Sequence, residues 1–220
     1  MDAVLIIFAK KPKEGFTKTR LCPPFTAADA AEFYRCLMLD TLALAAKLKD
    51  ADHTVAYTPQ DALSYFQALV PEDFRLVEQR GADLGERLTN TLADHFELGY
   101  QRVVVMNSDG PTLPLAYLEE AFSGLDRADI TLGMGHDGGY YLIGMKELQP
   151  ALFQGIAWST EKVLSQTIEA CLQLGLKVRQ LPEWYDVDVA ADLDRLCSDL
   201  VQDSTLAPRT YAFLKVLGKI

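Results

Sequence analysis

The chain has 220 residues, 49% of them hydrophobic and 24% charged, with a formal net charge of −10; this is the composition of a globular protein, not of a disordered or fibrous one. Its acidic balance, with a pI near 4.8, argues against nonspecific nucleic-acid binding, which recruits a basic face. The N-terminal apolar run, residues 3–7, is too short for a signal-peptide core or a membrane span, so a cytoplasmic protein with no membrane partner is expected.

Residues 3–8 read as the first strand, continuously apolar and β-branched as in a parallel sheet covered on both faces. A basic loop follows, and then Thr26 can cap a long helix whose Phe33, Leu37, Leu44 and Leu48 recur near helical spacing. A strand at 53–57, a helix at 61–70, a strand at 74–78, a helix at 84–98 and a very apolar strand at 103–106 continue the alternation. After a Pro-containing turn come a helix near 115–125 and a strand at 130–132. Residues 140–144 then form a strand with no helix before it, so an antiparallel pair interrupts the parallel series. Ser159 or Thr160 is expected to cap the next helix, followed by a strand at 177–181 and a final helical region.

This pattern predicts a three-layer α/β/α fold with a mixed, mostly parallel sheet. No internal repeat and no Pro-, Gly- or Ser-rich linker marks a boundary, so one domain over 1–220 is expected. Cys22, Cys36, Cys171 and Cys197 lack CxxC spacing or a neighbouring histidine and read as reduced thiols. His53, His95 and His136 are isolated and read as packing or surface residues.

Open α/β sheets bind ligands at the carboxyl ends of their strands, where the loop from Phe8 to Leu21 begins. Gly15 allows a backbone conformation that other residues resist. Lys18 offers phosphate oxygens a point charge, Arg20 a planar fork, and Lys10 adds to the same charge; the alternative is a solvated surface loop. Walker A spacing is absent. Asp109, in Met-Asn-Ser-Asp-Gly-Pro at the end of the most apolar strand, should emerge at the same edge and is a natural ligand for Mg²⁺; the alternative is an Asp-Gly-Pro turn that Asp109 caps, and a turn and a ligand are not exclusive. Asp186 and Asp188 share a face if extended, and one of them could complete a metal site with Asp109. Alternatively, Asp188 caps a helix beginning near Ala190.

Asp83 and Glu86 favour a helix start, and Asp83 with Arg87 could still face a nucleotide. Gly138 and Gly139 permit close passage of a ligand, and Asp137 could bind sugar hydroxyls or act as base; the alternative is a glycine hairpin turn. No Ser-His-Asp constellation can be assigned.

Taken in order, Phe-Ala-Lys-Lys-Pro-Lys-Glu-Gly-Phe-Thr-Lys-Thr-Arg-Leu, Gly-Ala-Asp-Leu-Gly-Glu-Arg-Leu, Asn-Ser-Asp-Gly-Pro-Thr-Leu-Pro, Asp-Gly-Gly-Tyr-Tyr-Leu-Ile-Gly, Trp-Ser-Thr and Tyr-Asp-Val-Asp resemble the rSAM/selenodomain-associated transferase family, glycosyltransferases of the arsenosugar-biosynthesis type. The resemblance reaches from the first strand to Leu193. It implies a GT-A-like nucleotide-diphospho-sugar transferase fold and a divalent ion, Mg²⁺ or Mn²⁺, held against a diphosphate by Asp109 and by Asp188 or Asp186. Lys18 and Arg20 would contact phosphate, and Asp83 and Arg87 would border the nucleotide. Family members often carry a serine where this chain has Gly110, so a hydroxyl contact is absent. The Lys-Thr-Arg-Leu segment is closer to the Lys-Ser-Arg-Leu of phospholactate guanylyltransferases.

The leading expectation is therefore a metal-dependent glycosyltransferase that uses a nucleotide sugar and a small-molecule acceptor, with Asp137 as acceptor-side base. The competitors are a nucleotidyltransferase that takes a nucleoside triphosphate and releases pyrophosphate, and a noncatalytic nucleotide-binding module.

Overall fold

The first strand, β1 (Ala3–Lys10), is buried from Ala3 to Ile7. It lies between two parallel neighbours, β2 (Asp52–Thr58) and β4 (Arg102–Met106), and a strand covered on both faces needs apolar side chains at successive positions. The computed structural model describes residues 1–220. The sheet is completed by β3 (Arg75–Glu78), β5 (Ile130–Gly135), β6 (Tyr140–Met145) and β7 (Val178–Trp184). Its seven strands lie in the order β3-β2-β1-β4-β6-β5-β7. β6 runs antiparallel to both β4 and β5, while the other pairings are parallel, so the expected interruption is a reversed strand inserted within the sheet.

Side chains alternate across the strands, which gives the sheet two apolar faces. On one face, Leu5 and Ile7 meet α1 (Ala27–Ala45), α2 (Leu63–Gln67) and α4 (Leu115–Gly124) through Met38, Leu42, Phe66 and Leu118. On the other, Val4 and Ile6 meet α3 (Leu84–Glu97) and α5 (Val163–Gln173) through Leu88, Leu92 and Cys171. The result is the three-layer arrangement expected. A second apolar stripe on α1, with Phe33 and Leu37, packs against α6 (Ala190–Gln202) and α7 (Pro208–Val216). Buried Asp40 accepts hydrogen bonds from Thr210 N and Oγ1, both at 2.8 Å, and so seats the start of α7 on α1.

Thr26 caps α1 as expected, accepting from Asp29 N at 3.1 Å. Three expectations need correction. The helix read at 61–70 is a 3₁₀ turn over Gln60–Ala62 followed by the short α2. The final helical region is two helices. Ser159 and Thr160 do not cap α5: Thr160 Oγ1 donates to Ala157 O at 2.7 Å and accepts from Lys162 N at 3.2 Å, closing a turn ahead of the helix.

Candidate active site

From β1 the chain first crosses to β2 on one side, and β4 later joins on the other. The carboxyl ends of β1 and β4 therefore flank the point where strand order reverses, the usual ligand crevice of such sheets. The basic loop is built there. Lys13 O accepts from Phe16 N and Thr17 N, and Thr17 Oγ1 accepts from Lys13 N at 2.9 Å. Gly15, at φ 72°, lets this turn close. Lys18 sits in the left-handed region at φ 49°; a non-glycine residue is held there only when its surroundings enforce it, and such residues cluster at functional sites.

What holds Lys18 is charge. Its side chain is 3% exposed, and its Nζ donates to Asp109 Oδ2 at 2.5 Å and to Asp188 Oδ1 at 2.6 Å. Arg20 Nη2 donates to Asp188 Oδ2 at 2.7 Å. The loops after β4 and β7 run side by side, with Val187 N donating to Asp109 O at 3.4 Å. Asp188 is not the cap of α6. Asp192 Oδ2 accepts from Asp188 N and Val189 N, both at 2.9 Å, which frees the Asp188 carboxylate for Lys18 and Arg20.

Beneath this layer, Asn107 Nδ2 donates to Asp186 Oδ2 at 2.6 Å, while Asn107 Oδ1 and Asp186 Oδ1 are buried without a partner. Gly110 packs beside both: a Cβ there would lie 3.3 Å from Asp186 Oδ1 and 3.9 Å from Asn107 Oδ1. Tyr34, on α1, joins the two strand ends. Its hydroxyl accepts from Lys10 N at 3.1 Å and shares a 2.7 Å hydrogen bond with the buried Ser108 hydroxyl.

Burial would depress the Lys18 ammonium, but the charges of Asp109 and Asp188 outweigh it and hold the group above the ordinary lysine value. Burial works to raise Asp188, and Lys18 and Arg20 overcome it and keep the carboxyl below its usual range. Burial and the charge of Asp109 push Asp186 well above that range. Desolvation, then the like charge of Lys18, lowers Lys10. Burial and the charge of Asp109 push Tyr34 up to about 12.

A cavity of about 740 Å³ opens beside the cluster, lined by Arg20, Leu84, Asp137, Gly139, Trp158 and Asp188 among others. Asp137 Oδ1 accepts from Gly139 N at 2.9 Å, so the glycine turn is present and Asp137 still reaches the cavity. At Gly138, φ 82°, a Cβ would lie 2.3 Å from Glu161 O, so the hairpin packs directly on the 158–161 turn. Asp83 and Arg87 are not bonded to the cluster: Asp83 Oδ1 caps α3 by accepting from Glu86 N at 2.8 Å, and Arg87 Nε donates to Gly81 O at 3.1 Å. A depression of about 780 Å³ lies at the opposite edge of the sheet, around Asp2, Arg102 and Asp129, and holds none of these groups. Sequence alone assigns no functional role to Tyr34, Leu84 or Trp158, although Leu84 and Trp158 fall within segments that carry the family resemblance; each has the pattern of an ordinary packing or turn residue.

The residues present fit a divalent ion. One cationic centre, Lys18 Nζ, already reaches an oxygen of both Asp109 and Asp188. No closed cage of three acidic, histidine or cysteine side chains surrounds that point, and Mg²⁺ characteristically uses one or two carboxylates and leaves its other positions to water and phosphate oxygens.

Residues 41–160 match the family model described as uncharacterized protein conserved in bacteria (DUF2064). The chain belongs to the DUF2064 family. A crystal structure of a candidate nucleotide-diphospho-sugar transferase from Desulfovibrio desulfuricans G20 is 36% identical to this DUF2064 chain, with a TM-score of 0.91 over 97% of this chain and 94% of that one. Two more distant structures share its fold. One is CMP:2-keto-3-deoxy-manno-octonic acid synthetase complexed with CTP, at 12% identity, TM-score 0.57, and 91% and 99% coverage. The other is Rv0371c from Mycobacterium tuberculosis H37Rv in complex with manganese, at 17%, 0.54, and 88% and 96%. No curated protein matches the chain. The DUF2064 protein thus has the α/β fold of nucleotide-diphospho-sugar transferases, and no helix in it is long and apolar enough to cross a membrane.

Proposed function

We propose that this protein is a transferase that takes the sugar of a nucleotide-diphosphate donor and passes it to the hydroxyl of a small molecule. The observation that carries this reading is the meeting of Lys18 with Asp109 and Asp188 at the switch point between β1 and β4. A diphosphate and its counter-cation need positive side chains and carboxylates on one rim. Asp109 and Asp188 would hold Mg²⁺ or Mn²⁺, which when bound supplies Lewis-acid neutralisation of the diphosphate. Lys18, Arg20 and Lys10 offset charge on the departing nucleoside diphosphate. Asp83 and Arg87 border the nucleotide, Gly15 shapes the phosphate loop, and Asp186 supports the site from beneath. Asp137, with Gly138 and Gly139, faces the acceptor and takes the proton from its hydroxyl as the oxygen bonds to the sugar carbon and the sugar–phosphate bond breaks.

The cavity supports sugar transfer over nucleotidyl transfer. Away from the Lys18 cluster its charged lining is Asp137 and Glu161, and a phosphorylated acceptor attacking a nucleoside triphosphate would meet those two carboxylates, whereas a neutral hydroxyl acceptor would not. The competing reading draws on the fold shared with the CTP-bound synthetase. The similarity to the D. desulfuricans protein and the resemblance to rSAM/selenodomain-associated transferases support the donor class, and the reading includes one domain over 1–220 in the cytoplasm, with no nucleic-acid or membrane partner. Product analysis tests it: nucleoside diphosphate released from a nucleotide sugar supports it, and pyrophosphate released from a nucleoside triphosphate supports the competitor. Binding without turnover would support a noncatalytic module.

A further inference from the structure

We infer that Lys18 is a built-in counter-cation that a divalent metal displaces, so that its ammonium leaves the gap between Asp109 and Asp188 and turns to the phosphate ligand. This rests on the metal half of the proposed function and adds an order of events to it. Lys18 Nζ lies 2.5 and 2.6 Å from the two carboxylate oxygens that would ligate the ion. A metal approaches such oxygens at about 2.0–2.1 Å, so the ion and the ammonium claim the same volume. The lysine side chain is 3% exposed while Asp109 and Asp188 are 22% and 37% exposed, so the carboxylates are open to solution and the gap between them is filled from within.

Charge leads to the same conclusion. Asp109 and Asp188 balance Lys18 and Arg20 without a metal. A divalent ion added with the ammonium still in place would leave the cluster strongly positive at close range, which is unfavourable. Release of the ammonium removes that cost, and a diphosphate takes it up. The loop can accommodate the movement. Lys18 holds a left-handed backbone conformation that its ion pairs help to enforce, and Gly15 nearby has nothing within 4 Å of where a Cβ would stand.

The test uses the full chain and Mn²⁺ alone. By calorimetry or electron paramagnetic resonance, Lys18→Gln should bind Mn²⁺ about tenfold more tightly than wild type, the modest end of what removing one close like charge supplies. In wild type, acetylation of Lys18 read by mass spectrometry should be slow without metal and about tenfold faster at saturating Mn²⁺, as a freed amine requires. Equal or weaker Mn²⁺ binding by Lys18→Gln overturns the inference, and so does a Lys18 that stays protected at saturating Mn²⁺. Should the variant fail to fold, the wild-type labelling decides. Tighter Mn²⁺ binding without turnover of any nucleotide sugar upholds the inference and refutes the donor assignment; turnover with Lys18 still protected does the reverse.

Discussion

Lys18 and Asp188 lie 170 positions apart in the chain, and their side chains meet at 2.6 Å. Parallel strands make that meeting possible. β1, β4 and β7 all point their carboxyl ends to one rim, and the backbone bond from Val187 to Asp109 sets the two acidic loops beside each other.

Asp109→Asn should lower metal-dependent turnover by about 10²–10³-fold, the scale seen when one group that stabilises developing charge is removed. Lys18 keeps its bond to Asp188, so the melting temperature should fall by only a few degrees. Initial rates and thermal melts on the same preparation check both. A collapse in stability with a modest rate effect would make Asp109 a structural residue.

Gly110→Ser should stabilise the protein or leave it unchanged, unlike most core substitutions. Gly110 has no positive φ, and its Cβ would stand 3.3 Å from the unpartnered Asp186 Oδ1. The serine hydroxyl can donate there, a hydrogen bond worth about 0.5–1.5 kcal/mol net. Urea unfolding of the two proteins measures it. A loss of more than about 1 kcal/mol would mean that the neighbours cannot yield to the added side chain.

Asp40→Ala should destabilise without touching the site. It leaves the Thr210 amide and hydroxyl unpaired in a buried position, at about 1–3 kcal/mol for each orphaned group. Urea midpoints should drop while Mn²⁺ affinity stays within error of wild type.

Stability should fall as the solution is acidified from neutral pH, and His95 should contribute. Its ring is buried between Thr91 O and Thr54 Oγ1, and burial holds it below its ordinary value of 6.5. The unfolded chain then takes up a proton that the fold refuses. The contribution is intact above 6.5 and fades as pH drops through the lower folded value. His53 shifts the same way, so His95→Gln should reduce the slope of stability between pH ~7.5 and ~5.5 without abolishing it. An unchanged slope would mean that His95 protonates in place.

Periodicity made the layers legible. The apolar runs at β1 and β4 announced buried parallel strands, and strand ends announced where Lys18 and Asp109 would emerge. The gathering of Lys18, Asp109 and Asp188 at one rim was expected from strand ends and from the family resemblance, but the direct bonds from one lysine to both carboxylates were not legible, because they depend on which strands become neighbours. Whether Asp188 caps the helix was equally closed to sequence, since cap and ligand both need a carboxylate before a helix; the cap role falls to Asp192, which reaches back to the Asp188 and Val189 amides. Tyr34 sits within the apolar surface of α1 and looks like core until its hydroxyl is seen bridging Lys10 and Ser108. Trp158 lies in a turn, where a half-buried aromatic has no periodic signature; only the fold shows that it walls the cavity.

The most direct measurement is product release by the purified chain, incubated with Mn²⁺, a panel of nucleotide sugars and a neutral hydroxyl acceptor. The proposed chemistry predicts metal-dependent formation of nucleoside diphosphate that disappears in Asp109→Asn and Asp188→Asn. Pyrophosphate from a nucleoside triphosphate, with every nucleotide sugar left intact, would contradict it.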